Sequence, residues 1–235
     1  MKLPNRKPKV TIALMVISIT IFVLQFIIEM LTGADVLFFY GGKINELILS
    51  GQVWRLITPI FLHGSIIHLA FNMYALYILG RRLERLYGHR RYLGLYVLSG
   101  FAGNVLSFVF TTNPSLGAST AIYGLLAAEG VFLIQNWKLF GPERTRRAIM
   151  NLVFILLINL SFGFVPDNII DIMGHIGGLI GGIFFAWKGG PILKISGQPP
   201  VLYAVDTREK RDVLTASLVV LFGFTIIAII PFITG

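Results

Sequence analysis

The chain has 235 residues, of which 55% are hydrophobic and 13% are charged, and its formal net charge is +9. Soluble domains carry about 25% charged residues, so this composition excludes an ordinary water-soluble domain. The chain contains no cysteine, which excludes a disulfide framework, a thiolate nucleophile and a metal site built on cysteine.

The apolar residues occur in blocks of about 20, the length that a helix needs to cross roughly 30 Å of hydrocarbon. These blocks predict an all-α, polytopic membrane protein that forms one domain. The first block is too long for the core of a signal peptide and lacks a clear cleavage site, so we interpret it as a retained span. The spans are predicted at about 10–31, 65–86, 92–110, 119–137, 147–164, 169–187 and 213–232.

The connections between these spans differ in character. The connection 32–59 is semi-polar and rich in aromatic residues and glycine, so we expect it to rest on the membrane interface or on the bundle. A polar linker with Pro199-Pro200 and the charged run 206–212 precedes the last span. The predicted organisation is a cytoplasmic tail (1–9), a six-helix core (10–187), a cytoplasmic linker (188–212) and a seventh helix with the C-terminus (213–235).

With seven spans, successive connections would lie on alternate sides of the membrane. The basic residues are divided unequally between these two sides. One side holds 18 of the 20 lysines and arginines, and the other holds Lys43 and Arg55. The positive-inside rule then places the N-terminus in the cytoplasm and the C-terminus outside the cell membrane. Topology, together with contact to anionic lipids, therefore explains the basic excess, and a nucleic-acid partner is not indicated.

Four polar side chains fall at one depth in the predicted spans. His68 and Asn72 lie early in the second span, Ser119 opens the fourth and His175 lies early in the sixth. These spans run in the same direction, so all four groups lie within roughly two helical turns of the outer surface. Polar groups at membrane depth usually face the bundle interior or a water-filled cavity, so we expect them to converge.

A glycine stripe supports this convergence. Gly174, Gly178 and Gly182 are spaced by four residues on the sixth span, next to His175. Small residues at this spacing let another helix approach closely, and we expect that helix to be the fourth span.

The converging residues include the residue types that a serine hydrolase needs. Ser119 is the candidate nucleophile and His175 its general base. The developing oxyanion needs hydrogen-bond donors, and the candidates are the backbone N–H of Ser119, the amide of Asn72 and the ring of His68.

In this arrangement the chain resembles the rhomboid family of intramembrane serine proteases, over about residues 42–187. The motifs that carry the resemblance are Trp54-Arg55, His68-Leu-Ala-Phe-Asn72, Gly80…Glu84…Gly88, Gly117-Ala118-Ser119 with Tyr123, and His175-Ile-Gly177-Gly178. The resemblance implies a rhomboid-like six-helix bundle plus one C-terminal transmembrane helix.

The resemblance also implies roles for individual residues. Ser119 and His175 would form a dyad that needs no third carboxylate, and Tyr123 would pack against the His175 ring. His68 and Asn72 would help to form the oxyanion hole. No metal or other cofactor is implied.

Further implications concern the supporting residues and the substrate. Gly117 and Glu84 would support the site, and the loop with Trp54-Arg55 would lie partly in the outer leaflet. The family cleaves transmembrane proteins near the membrane surface, and it favours small residues at the cut with helix-destabilising residues nearby. The implied partners are therefore transmembrane substrates and the lipid bilayer.

The chain departs from the family at Thr120, where glycine is usual. A β-branched residue is stiffer and bulkier, and its hydroxyl adds a competing hydrogen-bond group. We therefore expect an effect on rate or substrate choice. The departure also supports an alternative, a non-catalytic relative that binds transmembrane clients.

Each residue also has a less specific interpretation. Ser119 is compatible with helix packing or an N-cap, His68 and Asn72 with an interhelical hydrogen bond, and His175 with a metal ligand. Asp171 either orients His175 or interacts with the helix dipole.

Two carboxylates lie deeper in the predicted spans. Glu84 is expected to pair with an arginine of a neighbouring loop. Glu129, in mid-span, is protonated or paired, and together with His68 and His175 it would suit a proton path. A transporter should show inverted repeats or a continuous polar track, and the sequence has neither.

Overall fold

The computed structural model describes residues 6–162, 170–198 and 201–234, and these ranges are predominantly helical, as predicted. The helices are α1 (Lys9–Thr32), α2 (Val36–Gly41), α3 (Asn45–Leu49), α4 (Ile66–Tyr87), α5 (His89–Phe110), α6 (Ser119–Gln135), α7 (Trp137–Phe140), α8 (Pro142–Phe162), α9 (Ile172–Gly189) and α10 (Lys210–Thr234). Two 3₁₀ turns, Val53–Leu56 and Thr58–Phe61, and two strands, β1 (Leu193–Gln198) and β2 (Val201–Asp206), complete the described elements.

The described helices include several that suit a bilayer. By length and composition α1, α5 and α10 can cross a membrane, and α6 is a shorter apolar helix. Helix α1 packs on α4, and α10 packs on α5 and α9. Most apolar side chains of α1 and α10 remain exposed, as expected where hydrocarbon is the solvent. The chain is therefore built as a multi-pass membrane protein.

The centre of the bundle is the contact of α9 with α5 and α6. A β-carbon on Gly178 would overlap the backbone carbonyl of Thr120, and one on Gly182 would overlap the backbone of Gly124. The absence of these β-carbons lets α9 touch the main chain of α6. The glycine stripe and its predicted partner helix are thus confirmed, and the close contact sets the distance between the groups that the two helices carry.

The first connection is held together by buried cations. The guanidinium of Arg55 is almost fully buried; it donates to the carbonyl of Gly42 at 2.7 Å, to the carbonyl of Phe39 and to the side chain of Gln52. Lys43 Nζ is also buried and donates to three oxygens of the α5–α6 loop. The connection therefore rests on the bundle, one of the two predicted positions.

Glu84 ties α4 to the start of α1. Its carboxylate accepts hydrogen bonds from the N–H groups of Val10 and Thr11, both at 2.8 Å, and from the Thr11 hydroxyl at 2.7 Å. His89 is its fourth partner. The predicted arginine partner was therefore wrong: the carboxylate satisfies backbone donors at a helix N-terminus, where a negative charge is favourable.

The structure differs from the predicted elements at several places, among them the starts of α8 and α9 and the linker before α10. Helix α8 begins at Pro142 rather than near 147, because proline suits the first helical position. Helix α9 begins at Ile172 rather than near 169, after the N-cap Asp171. Two antiparallel strands, β1 and β2, lie within the predicted linker. Residues 163–169, with the predicted junction of spans five and six, and Pro199-Pro200 lie outside the described residues.

Candidate active site

Ser119 is the first residue of α6, and a sharp turn at Gly117 leads the chain into it. Gly117 has φ +130°, a conformation that favours glycine, and its N–H donates to the carbonyl of Pro59 at 2.9 Å. The N-cap position belongs to Ala118, so the interpretation of Ser119 as an N-cap was wrong. Ser119 is only half-buried.

The side chains of Ser119 and His175 form a hydrogen bond between α6 and α9. Ser119 Oγ lies 2.9 Å from His175 Nε2, within the range required of a nucleophile and its base. The contact of Gly178 with the backbone of Thr120 brings the two helices together one residue beyond the serine. The pair that the sequence singled out is therefore assembled.

Tyr123 stacks on the imidazole of His175. The ring centroids are 4.0 Å apart and the ring planes differ by 11°. Tyr123 lies one turn after Ser119 on α6, so the same helix face supplies the hydroxyl and the stacking ring. His175 is 6% exposed, and the stack restricts the rotation of its ring.

His68 faces the serine across Gly117. The Ser65 hydroxyl oxygen caps α4 by accepting the N–H of His68 at 3.1 Å, which places His68 in the first turn. His68 Nε2 lies 2.8 Å, and Ser119 Oγ 3.7 Å, from the position that a β-carbon on Gly117 would occupy. The His68 ring and the Ser119 hydroxyl therefore lie close to the same point beside Gly117.

Asn72 lies one turn further along α4 and is buried. Its side-chain amide donates to the carbonyl of His68 at 3.1 Å, so this hydrogen bond lies within one helix and is not the interhelical bond considered from the sequence. An amide carries two N–H donors, and the bond to His68 uses one of them.

The side chain of Thr120 fits a slot between α5 and α9. A β-carbon on Gly103 would lie 2.6 Å from the β-carbon of Thr120, and one on Gly174 would lie 3.0 Å from its methyl group. Two glycines thus provide the room that the larger residue needs. The Thr120 hydroxyl is buried and has no hydrogen-bond partner among the described residues, so it does not compete for the hydrogen bond of Ser119 there.

Asp171 fixes the first turn of α9 through the main chain. Its carboxylate accepts the N–H of Gly174 at 2.8 Å, and its carbonyl accepts the N–H of His175 at 3.0 Å. These bonds are those of an N-cap, which favours the helix-terminus interpretation of Asp171.

His63, which the sequence did not single out, also lies beside the site. This residue is buried, and its ring lies edge-on to that of His68, with 5.2 Å between the ring centroids. Its backbone N–H donates to the Gln25 side chain at 3.2 Å. Burial and the neighbouring His68 lower the pKa of His63 to about 4, so it is neutral at pH 7. The only signal in the sequence was a second histidine five residues before His68.

The remaining predicted residues contact other parts of the bundle. Trp54 is half exposed and donates to the carbonyl of Tyr40 at 3.1 Å, and Arg55 bonds within the same connection. Glu84 lies near the other end of α4. Glu129 is paired, as one interpretation held: its carboxylate lies 2.8 Å from the guanidinium of Arg82.

Known proteins resemble the chain over more than half of its length. The Rhomboid domain family matches residues 50–192. Rhomboid protease GluP of Bacillus subtilis is 45% identical over 182 residues, which cover 77% of this chain and 35% of GluP. RHOMBOID-like protein 5 of Arabidopsis thaliana is 39% identical over 150 residues, 63% of this chain and 47% of that protein.

A third relative is matched over more of its length. Rhomboid-like protease 1 of Toxoplasma gondii is 32% identical over 208 residues, which cover 79% of this chain and 70% of that protein. The chain spans about a third of the Bacillus protein and about half of the Arabidopsis one. The family match includes α4, α5, α6 and α9, the helices that build and surround the Ser119–His175 pair. The chain therefore belongs to the rhomboid family.

Proposed function

We propose that this protein is an intramembrane serine endopeptidase that cleaves transmembrane proteins near the outer membrane face. The observation that carries the proposal is the hydrogen bond of 2.9 Å between Ser119 Oγ and His175 Nε2. A packing serine needs no imidazole at this distance, whereas a serine nucleophile does. Membership of a family that includes named proteases supports the same activity.

The reaction begins with proton transfer. His175 Nε2 takes the proton of Ser119 as the hydroxyl oxygen attacks the peptide carbonyl, and the resulting imidazolium then protonates the leaving amine. The products of this half-reaction are an acyl-enzyme and the first peptide fragment. Water, activated by the same imidazole, hydrolyses the ester and restores the free serine. The stack with Tyr123 keeps the ring in place through both halves.

The tetrahedral intermediates carry a negative oxygen that needs donors. The backbone N–H of Ser119 is one of them, since it lies at the start of α6 and the N-terminal N–H groups of a helix have no partner within it. The free N–H of the Asn72 amide and the ring of His68 supply the others. The proximity of His68 to the serine across Gly117 supports this assignment.

In the proposed topology, water can reach the active site from the outer side of the membrane. We assign seven spans, with the N-terminus and the linker 188–212 in the cytoplasm and the C-terminus outside, because 18 of 20 basic residues then lie on the inner side. Ser119 and His175 lie near the outer starts of α6 and α9 in this arrangement, where water reaches them from the surface. Trp54 and Arg55 then belong to a connection that rests partly in the outer leaflet.

The direct test is cleavage of a transmembrane substrate by the full chain in lipid nanodiscs. Substrates should carry small residues at the cut and a helix-destabilising residue nearby, the preference that the family resemblance implies. The variant Ser119→Ala should abolish cleavage, and Ser115→Ala, which removes a hydroxyl from the preceding loop, should leave it intact. Cleavage that survives Ser119→Ala would refute the mechanism.

A non-catalytic role in binding transmembrane clients is the second candidate, and the Thr120 departure is its support. The slot between Gly103 and Gly174 weakens it, because Thr120 is accommodated without separating Ser119 from His175. A client-binding protein would retain a labelled transmembrane peptide in nanodiscs and leave it intact. Cleavage products that depend on Ser119 would rule out this role.

A further inference from the structure

A cavity of about 400 Å³ lies between α4, α6 and α7, away from the Ser119–His175 pair. Arg82 in its wall is placed along α4 about 21 Å beyond His68, given a rise of 1.5 Å per residue. This distance is most of the thickness of a bilayer's hydrocarbon core. The cavity therefore opens near the membrane face opposite to the candidate active site.

The wall of the cavity combines cations with an apolar floor. Three arginines of the last turns of α4 line it: Arg81, Arg82 and Arg85. Leu86 and Phe132, both buried, form apolar surface behind them. A concave site of this kind offers charge at its rim and hydrocarbon-like surface below.

The three arginines are not equivalent. Arg82 is paired with Glu129, whose carboxylate is 3% exposed, so its charge is largely compensated. Arg81 donates to the Tyr77 hydroxyl at 2.7 Å and lies over the Tyr77 ring, 4.7 Å from its centroid. The Arg85 side chain has no hydrogen bond or ion pair within the part of the chain that the structure describes. Arg81 and Arg85 are thus two cations without an anionic partner there.

An exposed apolar track leads from the cavity along α4. Ile78 lines the cavity, Tyr74 lies one turn before it, and Phe71 lies a further turn towards the other membrane face. Their exposed fractions are 51%, 69% and 72%. The arginines and the exposed apolar track would together fit a ligand with an anionic head and a long apolar tail.

We propose that this cavity binds an anionic phospholipid, with the headgroup phosphate between Arg81 and Arg85 and an acyl chain along Tyr74 and Ile78. Guanidinium groups form strong, bidentate hydrogen bonds to phosphate. Basic pockets between membrane helices suit such headgroups. The positive-inside distribution explains why this side is basic, but it does not require a cavity with an apolar floor. The proposal does not depend on catalysis by Ser119.

The test is native mass spectrometry of the full chain in detergent, titrated with phosphatidylglycerol or phosphatidylcholine. Phosphatidylglycerol should bind more tightly, and Arg81→Gln/Arg85→Gln should weaken it about 30-fold, or about 2 kcal/mol, at about 1 kcal/mol per arginine. The matched control is Arg146→Gln/Arg147→Gln, which removes two exposed arginines from the start of α8. This control should change the affinity less than threefold.

Two further experiments distinguish lipid binding in the cavity from lipid binding to a charged surface. Ile78→Trp changes no charge but obstructs the apolar wall, so it should weaken phosphatidylglycerol binding while the unfolding temperature stays near that of the wild type. Inorganic phosphate at millimolar concentration should not displace the lipid. Equal losses in both double-arginine variants, an unaffected Ile78→Trp, or displacement by phosphate alone would each overturn the proposal.

Discussion

The ring of His68 occupies the space that a β-carbon on Gly117 would need, since its Cε1 and Nε2 atoms both lie 2.8 Å from that position. Gly117 also has a positive φ of 130°, which costs a residue with a side chain about 1–3 kcal/mol. We expect Gly117→Ala to displace His68 or the turn that leads to Ser119. Cleavage should fall at least about tenfold, measured as kcat/KM with a transmembrane substrate.

The matched control for this prediction is Gly130→Ala, on the same helix as Ser119. A β-carbon there would meet its nearest neighbour, Leu152, only at 4.0 Å. Alanine is also favoured over glycine inside a helix, by about 1 kcal/mol. The control should keep full activity and an unchanged or higher unfolding temperature. If Gly117→Ala matched it, His68 would not depend on the glycine.

The contact of Gly178 with the backbone of Thr120 predicts a second sensitive position. The methyl group of Gly178→Ala would overlap the Thr120 carbonyl, so α9 must move away from α6 and stretch the Ser119–His175 hydrogen bond. Overpacking of this kind costs about 1–3 kcal/mol. We expect a lower unfolding temperature and a lower kcat. Gly223→Ala on α10, where a β-carbon meets nothing within 4 Å, should lower neither.

Tyr123 should matter through its ring rather than its hydroxyl. The stack on His175, with centroids 4.0 Å apart, is an aromatic contact of about 1 kcal/mol. Tyr123→Phe keeps the ring and should stay within about twofold of the wild-type kcat, whereas Tyr123→Ala should lose about fivefold in kcat with little change in KM. Equal losses in the two variants would assign the effect to the hydroxyl instead.

Lys43 predicts a pH dependence of stability. Burial lowers the pKa of its ammonium from 10.5 to about 8, and the charges of Asp171 and Glu46 oppose that shift. Between pH 8 and 10.5 the unfolded chain therefore holds a proton that the folded chain has released. Stability then rises with pH through this window, because the cost of burying the charged form disappears.

The variant Lys43→Met isolates this contribution. All other titrating groups are common to both proteins, so the difference in unfolding free energy, wild type minus variant, should increase as the pH rises from 8 to 10.5. Thermal unfolding in detergent at several pH values measures it. A difference that stays constant or decreases would show that Lys43 remains charged in the folded protein throughout this range.

The sequence predicted those features that depend on side-chain type and spacing. The spacing of Gly174, Gly178 and Gly182 identified a helix contact, and histidine and serine at one predicted depth identified a pair that the structure places 2.9 Å apart. Both inferences hold because helical periodicity is fixed before the fold is known.

The features that the sequence did not predict depend on hydrogen bonds to backbone groups, either C=O acceptors or N–H donors. Arg55 and Lys43 bind carbonyl oxygens, and Glu84 binds N–H groups at the start of α1. Every residue carries such groups, so no sequence pattern marks the partner. The β1–β2 pair was missed for a related reason, because its short strands lie in a segment whose prolines and charges indicated a linker.

Covalent labelling of Ser119 tests whether His175 activates this serine as a nucleophile. The full chain in nanodiscs should react with a fluorophosphonate probe, and peptide mass spectrometry should place the adduct on Ser119. His175→Ala should reduce the labelling rate by about a hundredfold or more, in line with the contribution of a general base. Labelling that occurs elsewhere, or that persists unchanged in His175→Ala, would show that Ser119 is not a nucleophile activated by His175.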